Sequence, residues 1–267
     1  MSKTVIITGT SSGFGAELVL EFARKGWNVT ATMRDPAMAP AAFHDLPSTL
    51  VTRMDITDED TIRSAIRESE ERFGPTDVLV NNAGYVLRGT LEETTLDQIR
   101  RQFDTNFFGP LAVTRQVLPG MRERGSGHIV NFSSLLGVVA LPTVAAYTAS
   151  KHALEGYSES LSYDLRGLGV DVTIVEPGVF ATGMSTKGDQ PTRELDAYSA
   201  GPALRATMYD FQVGNLRRAV ETLVSIAGTP NPPQRLYVGH GLDTIRRRYQ
   251  EHLDAWASVE DLTKATL

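Results

Sequence analysis

The sequence contains no cysteine, which excludes disulfide bonds, thiolate metal ligands and cysteine nucleophiles. It also lacks any apolar run approaching the ~18 residues that a membrane-spanning helix requires. Its N-terminal stretch changes after a few apolar residues to glycine and serine, which is not the pattern of a secretory signal. We therefore expect a cytoplasmic protein with no membrane partner.

The sequence also has no excess of basic residues, because it contains 26 Lys and Arg residues and 32 Asp and Glu residues. A net charge of -6 does not indicate the basic surface that binding to nucleic acid requires. The arginine run at 246–248 is followed by Glu251 and Asp254, so we interpret it as a solvated helix face. The composition, 41% hydrophobic and 22% charged, is typical of a globular protein. No long linker divides the chain, so we expect one domain over residues 1–267.

Short apolar runs alternate along the chain with longer amphipathic stretches. The runs are rich in Val and Ile without polar alternation, which indicates strands buried on both faces. We predict strands at 3–8, 28–33, 49–56, 77–84, 127–134, 170–178 and 235–239. We predict helices at 13–26, 58–74 with Asp58 as N-cap, 95–124, 146–168, 213–228 and in the tail to about 257.

This alternation predicts an α/β fold, a three-layer doubly wound Rossmann-type parallel sheet of about seven strands flanked by helices. The stretch 183–212 is rich in Gly, Pro, Thr and Asp and is the long irregular region of the prediction. A loop of that length after a strand is typical of a substrate lid.

A glycine-rich turn, TGTSSGFG (Thr8–Gly15), joins the first strand to the first helix. Glycine lets the backbone turn tightly and approach a pyrophosphate, and the helix N-terminus directs free N–H groups at the anion. The turn lacks the lysine of a phosphate-binding P-loop, and its spacing differs from G-x-G-x-x-G. Its placement after the first strand favours a dinucleotide over a turn without a ligand. The predicted contacts are Gly9, Ser11, Ser12, Gly13, Phe14 and Gly15.

The second strand ends in Met33-Arg34, at the position where an acid usually binds the ribose hydroxyls of NAD. An acid would repel a 2′-phosphate, whereas an arginine can chelate it. We therefore predict NADP as cofactor, with Arg34 on the 2′-phosphate. Asp35 follows directly and keeps NAD as the alternative, as does the interpretation of Arg34 as a surface cation.

The reactive pair is predicted at Tyr147 and Lys151, which share one helix face at spacing i, i+4. A phenol with a pKa near 10 is a poor base at neutral pH, and a nearby ammonium lowers that pKa. The 8 Tyr and 5 Lys residues would give about 0.15 such pairs by chance, so the pair alone is only suggestive. The alternative is a half-buried tyrosine beside a snorkelling lysine.

Polar residues at other strand ends strengthen the assignment. Ser134 ends a strand thirteen residues before Tyr147, where its hydroxyl can bond a substrate oxygen. The segment NNAG at 81–84 ends another strand and can line a cofactor. Asn106 is a polar residue in an apolar helical stretch, and its alternatives are a helix kink or a satisfied buried amide.

Together these motifs resemble the short-chain dehydrogenase/reductase family. The resemblance rests on T-G-x-x-x-G-x-G (8–15), N-N-A-G (81–84), N-x-x-G (106–109), Ser134, Y-x-x-x-K (147–151) and P-G (177–178). It covers about residues 3–240 with every motif in the family's order. The stretch ATMRD is similar to that of NADP-preferring members, which include hydroxysteroid dehydrogenase-like and 3-oxoacyl reductase-like enzymes.

The resemblance implies a role for each matched residue. Tyr147 is implied as general acid in reduction and base in oxidation, with Lys151 lowering its pKa and holding the nicotinamide ribose. Ser134 is implied to orient the reacting oxygen, and Asn106 to hold a water in a proton relay. Further cofactor contacts are implied at Asp55, Ile56, Asn82, Ala83, Gly84, Pro177, Gly178, Val179 and Thr182. No metal is required, since proton and hydride come from tyrosine and cofactor. Glu176 departs from the family pattern, without an evident consequence.

The expected substrate is a hydrophobic ketone or secondary alcohol, because the predicted pocket walls are mostly apolar. These walls are Tyr85, Val86, Leu87, 135–141, Phe180, Met184, Met208, Tyr209 and Phe211. Arg88 or Arg193 would serve an acidic substrate, although lone surface arginines are the simpler interpretation. The resemblance suggests a homodimer or homotetramer packed through 95–124 and 146–168. A catalytically silent dinucleotide sensor, or an epimerase or dehydratase of the same fold, remains the alternative.

Overall fold

Seven parallel strands form one sheet in the computed structural model, which describes residues 2–184, 188–209 and 212–266. The spatial order is β3-β2-β1-β4-β5-β6-β7. The strands are β1 (Thr4–Thr8), β2 (Asn28–Met33), β3 (Thr49–Arg53), β4 (Val78–Asn81), β5 (Gly127–Phe132), β6 (Val170–Pro177) and β7 (Arg235–Val238). Strand order reverses between β1 and β4, which creates the crevice where such sheets bind ligands. The predicted fold class is confirmed.

Helices cover both faces of this sheet. The helices of the described residues are α1 (Gly13–Arg24), α2 (Glu59–Phe73), α3 (Leu96–Phe103), α4 (Gly109–Arg124), α5 (Ala145–Asp164), α6 (Gly201–Met208), α7 (Leu216–Ile226), α8 (Leu242–Ala257) and α9 (Glu260–Lys264). Because side chains alternate along a strand, Val5 and Ile7 pack against α1 and α7, whereas Ile6 packs against α2, α4 and α5. Two apolar layers therefore enclose the sheet and hold its strand ends in place.

The predicted helix over 95–124 is interrupted by a π-helical turn at Asp104–Phe108, which separates α3 from α4. The turn contains Asn106, whose amide bonds the backbone of Tyr85 instead of facing the helix exterior. Single π-helical turns are common at functional sites. The buried-amide alternative therefore describes Asn106, which lies in a π-helical turn and not in regular α-helix.

The stretch 183–212 is less irregular than predicted, because its described part contains a 3-10 helix at Asp196–Tyr198 and the helix α6. The predicted strands over 49–56 and 77–84 end earlier, at Arg53 and Asn81. Asp58 caps α2 as predicted, accepting hydrogen bonds from the Asp60 and Thr61 amides.

The arginine run lies on α8, where its side chains form exposed ion pairs with Asp243 and Glu251. This placement confirms the interpretation of the run as a solvated helix face. Within the described ranges no helix is both long and apolar enough to span a bilayer.

Candidate active site

A cavity of about 1910 Å³ opens at the carboxyl ends of the strands. Two predicted site residues, Gly15 and Asn106, lie behind its wall, and the others line it. These lining residues are Gly9, Ser11, Ser12, Gly13, Phe14, Arg34, Asp55, Ile56, Asn82, Ala83, Gly84, Ser134, Tyr147, Lys151, Pro177, Gly178, Val179 and Thr182. Segments far apart in sequence therefore converge on one space.

The glycine turn is packed so closely that side chains would not fit. Gly9 has φ +72°, and a Cβ there would lie 2.8 Å from Ala83 Cα. A Cβ on Gly15 would collide with the Gly9 carbonyl oxygen and lie 2.6 Å from Asn82 Nδ2. Asn82 Nδ2 donates to the Thr8 and Gly9 carbonyls at 2.8 and 3.0 Å. Asn82 therefore fixes the turn itself, a role that the sequence motif did not reveal.

The mouth of this turn can admit an anion. Gly13, at φ +62°, begins α1 and lies next to Thr182, since a Cβ there would lie 3.3 Å from the Thr182 side chain. The free N–H groups at the start of α1 favour negative charge at this point. Phe14 stacks edge-on against Phe132 and Phe180, with ring centroids 5.4 and 4.8 Å apart. The residues present therefore fit a pyrophosphate, with an aromatic floor beside it.

Arg34 follows β2 and is exposed at the cavity rim. The next residue, Asp35, points its carboxylate at the Ala37 amide, 3.0 Å away, and caps a short 3-10 helix. Asp55 accepts from the amide and hydroxyl of Thr57 at 3.0 and 2.7 Å. Burial raises the pKa of Asp55, but the Thr57 hydrogen bonds and the nearby Arg34 charge outweigh it, so the net shift is downward. The guanidinium is thus the group presented at the end of β2.

Tyr147 and Lys151 lie on the first turns of α5 and are both buried in the wall of the cavity, 4% and 3% exposed. Burial raises the pKa of the Tyr147 phenol, and a hydrogen bond with the Ser134 side chain opposes that shift. The Lys151 ammonium lies 5.9 Å from the Tyr147 ring centroid. The predicted lowering of this pKa by Lys151 is therefore not what the structure gives, because burial dominates.

A hydrogen bond to the backbone fixes the position of the Lys151 side chain. Its Nζ donates to the Phe132 carbonyl at 2.6 Å, which ties α5 to the end of β5. Burial lowers the pKa of Lys151 to about 8, while the Glu155 carboxylate opposes the shift. A lysine with this pKa is mostly protonated at neutral pH and can exchange its proton a little above it.

Asn106 is buried, and its side-chain amide forms hydrogen bonds with other groups of the protein. Its Oδ1 accepts from the Tyr85 amide at 3.1 Å, and its Nδ2 donates to the Tyr85 carbonyl at 2.9 Å. The Nδ2 also lies 3.4 Å from Ser150 Oγ. A Cβ on Gly84 would come within 3.1 Å of Asn106 Oδ1 and 3.8 Å of Lys151 Nζ. Asn106 therefore holds the loop after β4 close to the lysine.

Glu176, the departure from the family pattern, belongs to a charged cluster behind the site. Arg235 Nη1 contacts Glu155 Oε2 at 2.5 Å and Glu176 Oε1 at 2.7 Å, and its Nη2 contacts Glu159 Oε2 at 2.7 Å. Burial and the neighbouring Glu176 raise the pKa of Glu155. Arg235 thus joins α5, one turn beyond Lys151, to the end of β6. Sequence reasoning missed this cluster because its members lie far apart in the chain.

The buried carboxylate of Glu93 anchors the lid stretch. It accepts from the Leu195 amide at 3.0 Å and from the Thr90 amide and hydroxyl at 2.9 Å each. The Thr192 amide donates to the Glu93 carbonyl at 3.1 Å. These hydrogen bonds lower the pKa of Glu93 and keep it ionised. Glu93 therefore ties the lid stretch to the loop before α3, beside the bonds that Arg193 and Tyr198 make to Glu92.

The predicted apolar walls are only partly placed on the cavity. The lining includes Tyr85, Val86, Leu135, Leu136, Leu141, Phe180, Met184 and Tyr209. Leu87 is wrong as a wall residue, because it is buried in the interior and its amide bonds Gln102. Met208 and residues 137–140 lie off the lining, and Phe211 lies outside the described residues.

A doubly wound sheet with a glycine turn at β1 and a buried tyrosine–lysine pair at the same edge defines a dinucleotide-linked oxidoreductase. The short-chain dehydrogenase family model matches residues 3–193. The chain therefore belongs to the short-chain dehydrogenase family, whose members bind nicotinamide dinucleotides. Within the described residues no cluster of His, Asp and Glu is suited to hold a metal ion.

Two relatives match most of the chain. An uncharacterized oxidoreductase of Schizosaccharomyces pombe is 34% identical over 255 residues, 93% of this chain and 86% of the relative. The 3-ketodihydrosphingosine reductase of Bacteroides thetaiotaomicron is 32% identical over 242 residues, 89% of this chain and 88% of the relative. Both similarities extend well beyond the glycine turn and the tyrosine–lysine pair.

Two solved structures share the fold. A short-chain dehydrogenase from Streptomyces avermitilis is 33% identical with a TM-score of 0.90, over 100% of this chain and 99% of that one. The structure of ElxO with NADP bound is 26% identical with a TM-score of 0.75, over 90% of this chain and 98% of that one.

Proposed function

We propose that the protein reduces a hydrophobic ketone to a secondary alcohol with NADPH. The observation that carries the proposal is the burial of Tyr147 and Lys151 beside Ser134 in one cavity wall. A raised phenol pKa keeps Tyr147 protonated at neutral pH, which suits a general acid. The reaction consumes one ketone, one NADPH and one proton and yields one alcohol and one NADP+.

NADPH supplies the hydride when bound. Tyr147 donates its phenolic proton to the carbonyl oxygen, and the Ser134 hydroxyl donates a hydrogen bond to that oxygen. Lys151 then supplies a proton that restores the Tyr147 hydroxyl, since its pKa of about 8 allows proton exchange near neutral pH. Asn106 maintains the distance between the loop after β4 and Lys151. In this proposal the apolar lining of Val86, Leu141 and Tyr209 favours a hydrophobic ketone over a polyol.

The preference for NADP over NAD is part of the proposal. It is supported by the exposed Arg34 at the cavity rim, by the engagement of Asp35 in a helix cap, and by the NADP-bound structural relative. NADPH and NADH are titrated separately against the wild type, Arg34→Gln and the exposed control Arg63→Gln. We expect tighter NADPH binding in the wild type and the control, with the difference lost in Arg34→Gln. Tighter NADH binding by the wild type would overturn the cofactor assignment.

A panel of hydrophobic ketones and polyhydroxylated ketones, all assayed with NADPH, tests the substrate class. We expect kcat/KM to be at least about a hundredfold higher for the hydrophobic ketones, because a polyhydroxylated ketone cannot satisfy its hydroxyls against an apolar wall. Equal turnover of both classes would contradict the assignment.

We further propose that the protein assembles as a homodimer or homotetramer through α3, α4 and α5. Supporting this, apolar surface is exposed at Leu96 on α3, at Tyr163 on α5 and at Phe108 in the π-helical turn before α4. Sedimentation equilibrium measures the assembly state, and a strictly monomeric protein at micromolar concentration would refute the proposal.

A further inference from the structure

The ion cluster behind the reaction centre places one arginine among three glutamates. The Arg235 guanidinium contacts Glu155 at 2.5 Å and Glu176 at 2.7 Å through the same nitrogen, Nη1. The Glu155 and Glu176 side chains are 7% and 8% exposed, whereas that of Arg235 is 37% exposed. The third partner, Glu159, is 40% exposed and contacts the other nitrogen, Nη2. Arg235 therefore neutralises two buried carboxylates from a half-exposed position.

Glu155 connects this cluster to the reaction centre. It lies four residues after Lys151 on α5, so the two side chains share one face of the helix. A Cβ on Gly137 would lie 2.9 Å from Glu155 Oε1, and Gly137 ends the 3-10 turn that Ser134 caps. The Glu155 carboxylate thus lies against both the helix that bears Lys151 and the turn that follows Ser134. Arg235 is one side chain removed from Lys151, with Glu155 in between.

The titratable groups around this line of contact come from three elements. Those that face Lys151, Glu155 or Arg235 are Tyr147, Glu155 and Glu159 on α5, Glu176 on β6, and Arg235 and Tyr237 on β7. Among them, Glu155 is the acid that raises the pKa of Lys151 against the effect of burial. The charge on Lys151 therefore depends on whether Glu155 is ionised.

The ionisation of Glu155 depends in turn on Arg235. Two carboxylates that are buried side by side do not both ionise easily unless a cation stands beside them. Burial raises the pKa of Glu155, as does the Glu176 charge, whereas the Arg235 charge and hydrogen bond lower it. With all four groups ionised, the positive charges of Lys151 and Arg235 equal the negative charges of Glu155 and Glu176. Loss of the guanidinium would leave an excess of negative charge, which Glu155 can relieve by taking up a proton.

We propose that Arg235 is a positioning residue of the reductase site, which holds the Glu155 carboxylate ionised beside Lys151 and so keeps Lys151 protonated. This inference rests on the proposed reductase function and adds to it a half-exposed residue outside the cavity lining. It also gives a place to Glu176, the departure from the family pattern, because Glu176 shares the guanidinium with Glu155.

The pH dependence of single-turnover ketone reduction tests this role. Without the Arg235 charge, Glu155 becomes neutral, Lys151 loses its supporting anion and the pKa of Lys151 falls. In Arg235→Gln we expect the decline of the rate at high pH to move down by about half a pH unit or more, and in Arg235→Lys to return to the wild-type position. The control Arg217→Gln, which removes an exposed ion pair, should keep the wild-type profile. A rate that falls equally at every pH in Arg235→Gln would overturn the proposal.

Two further variants show whether the effect runs through Glu155. Glu176→Gln removes the like charge beside Glu155, so the decline should not move to lower pH, although this variant disturbs the same cluster. Arg235→Gln combined with Glu155→Gln should have the midpoint of Glu155→Gln alone, since Arg235 acts through Glu155. This double variant keeps the charges of Lys151 and Glu176 balanced, so the comparison holds even if Arg235→Gln alone fails to fold. A lower midpoint in the double variant, or in Glu176→Gln, would contradict the proposal.

A measurement without substrate separates this inference from the reductase proposal. The chain contains 5 lysines, so protein labelled with 13C at lysine Cε gives few signals, and the Lys151 signal is identified by its loss in Lys151→Met. NMR titration then reports the Lys151 midpoint directly. We expect this midpoint to be lower in Arg235→Gln and unchanged in Arg217→Gln, whether or not a ketone is reduced. An unchanged midpoint in Arg235→Gln refutes the inference, whereas the expected shift without any ketone turnover refutes only the reductase proposal.

Discussion

The two ends of the cavity are built in different ways. At the glycine-turn end, Gly9 and Gly15 leave no room for a Cβ, and Asn82 bonds the carbonyls of the turn. At the lid end, α6 is largely exposed and the preceding stretch depends on a few bonds, chiefly those to Glu93. The glycine-turn end is part of the sheet edge, whereas the lid end is a surface segment that hydrogen bonds hold to the rest of the domain. Changes at the first end should therefore affect every substrate, whereas changes at the second should select among substrates.

The largest expected effect is at the rigid end. Gly15→Ala would place a methyl group against the Gly9 carbonyl and Asn82, so the turn must move. Overpacking of this kind costs about 1–3 kcal/mol of stability, and a displaced anion site costs about a hundredfold or more in binding. NADPH titration and thermal unfolding measure both losses. Gly156→Ala on α5 is the matched control, since a Cβ there meets nothing within 4 Å. A Gly15→Ala protein with normal NADPH affinity would contradict the comparison.

The next largest effect is a loss of stability at low pH that arises from a histidine in the sheet. His128 on β5 is buried, accepts from the Gly228 amide and bonds Thr173, and burial lowers its pKa to about 4. An unfolded histidine titrates near 6.5, so the folded protein loses stability as pH falls from about 6.5 to 4, by about 3 kcal/mol in total. Urea unfolding at a series of pH values measures the slope. The His128→Gln variant should lack this part of the slope, and an unchanged slope would argue against the assignment.

A smaller effect is expected at the lid end. Glu93→Ala removes the hydrogen bonds to Leu195 and Thr90, so the lid loses part of its attachment to the loop before α3. We expect KM for ketones to rise about tenfold, while NADPH affinity stays unchanged. Steady-state kinetics and NADPH titration separate these two quantities. Glu92→Ala, which removes only an exposed bond to Tyr198, should change KM less. If NADPH affinity falls while KM for ketones rises, the two ends are not separable.

The smallest effect is a shift in a pH profile. Lys151 has a pKa of about 8, and Glu155 raises it against the effect of burial. Reduction should therefore decline as pH rises through about 8, when Lys151 loses its proton. Glu155→Gln removes the opposing charge, so the decline should move to lower pH. Measurement of kcat against pH in both proteins checks the direction. A decline that moves to higher pH would contradict the role of Glu155.

The sequence predicted the sheet and the residues at its edge because both follow local patterns. A buried strand ends at a polar residue, and parallel strands bring those ends together, so Asn82 and Ser134 converge in one cavity, where Tyr147 joins them from the start of α5. The long-range contacts could not be predicted. Arg235 and Glu176 are 59 residues apart, and Leu195 and Glu93 are 102 apart. No local pattern marks such pairs. The π-helical turn at Asn106 likewise depends on the Tyr85 backbone, 21 residues away.

The central claim is that Tyr147 supplies the proton in ketone reduction while the glycine-turn end binds the cofactor independently. The most direct test compares wild type and Tyr147→Phe in two measurements on the same samples, NADPH affinity and single-turnover reduction of a hydrophobic ketone. Removal of the hydroxyl group leaves the cavity shape nearly unchanged, so NADPH affinity should stay within about twofold, whereas the reduction rate should fall at least about a hundredfold. Full reduction by Tyr147→Phe with unchanged NADPH affinity would contradict the account.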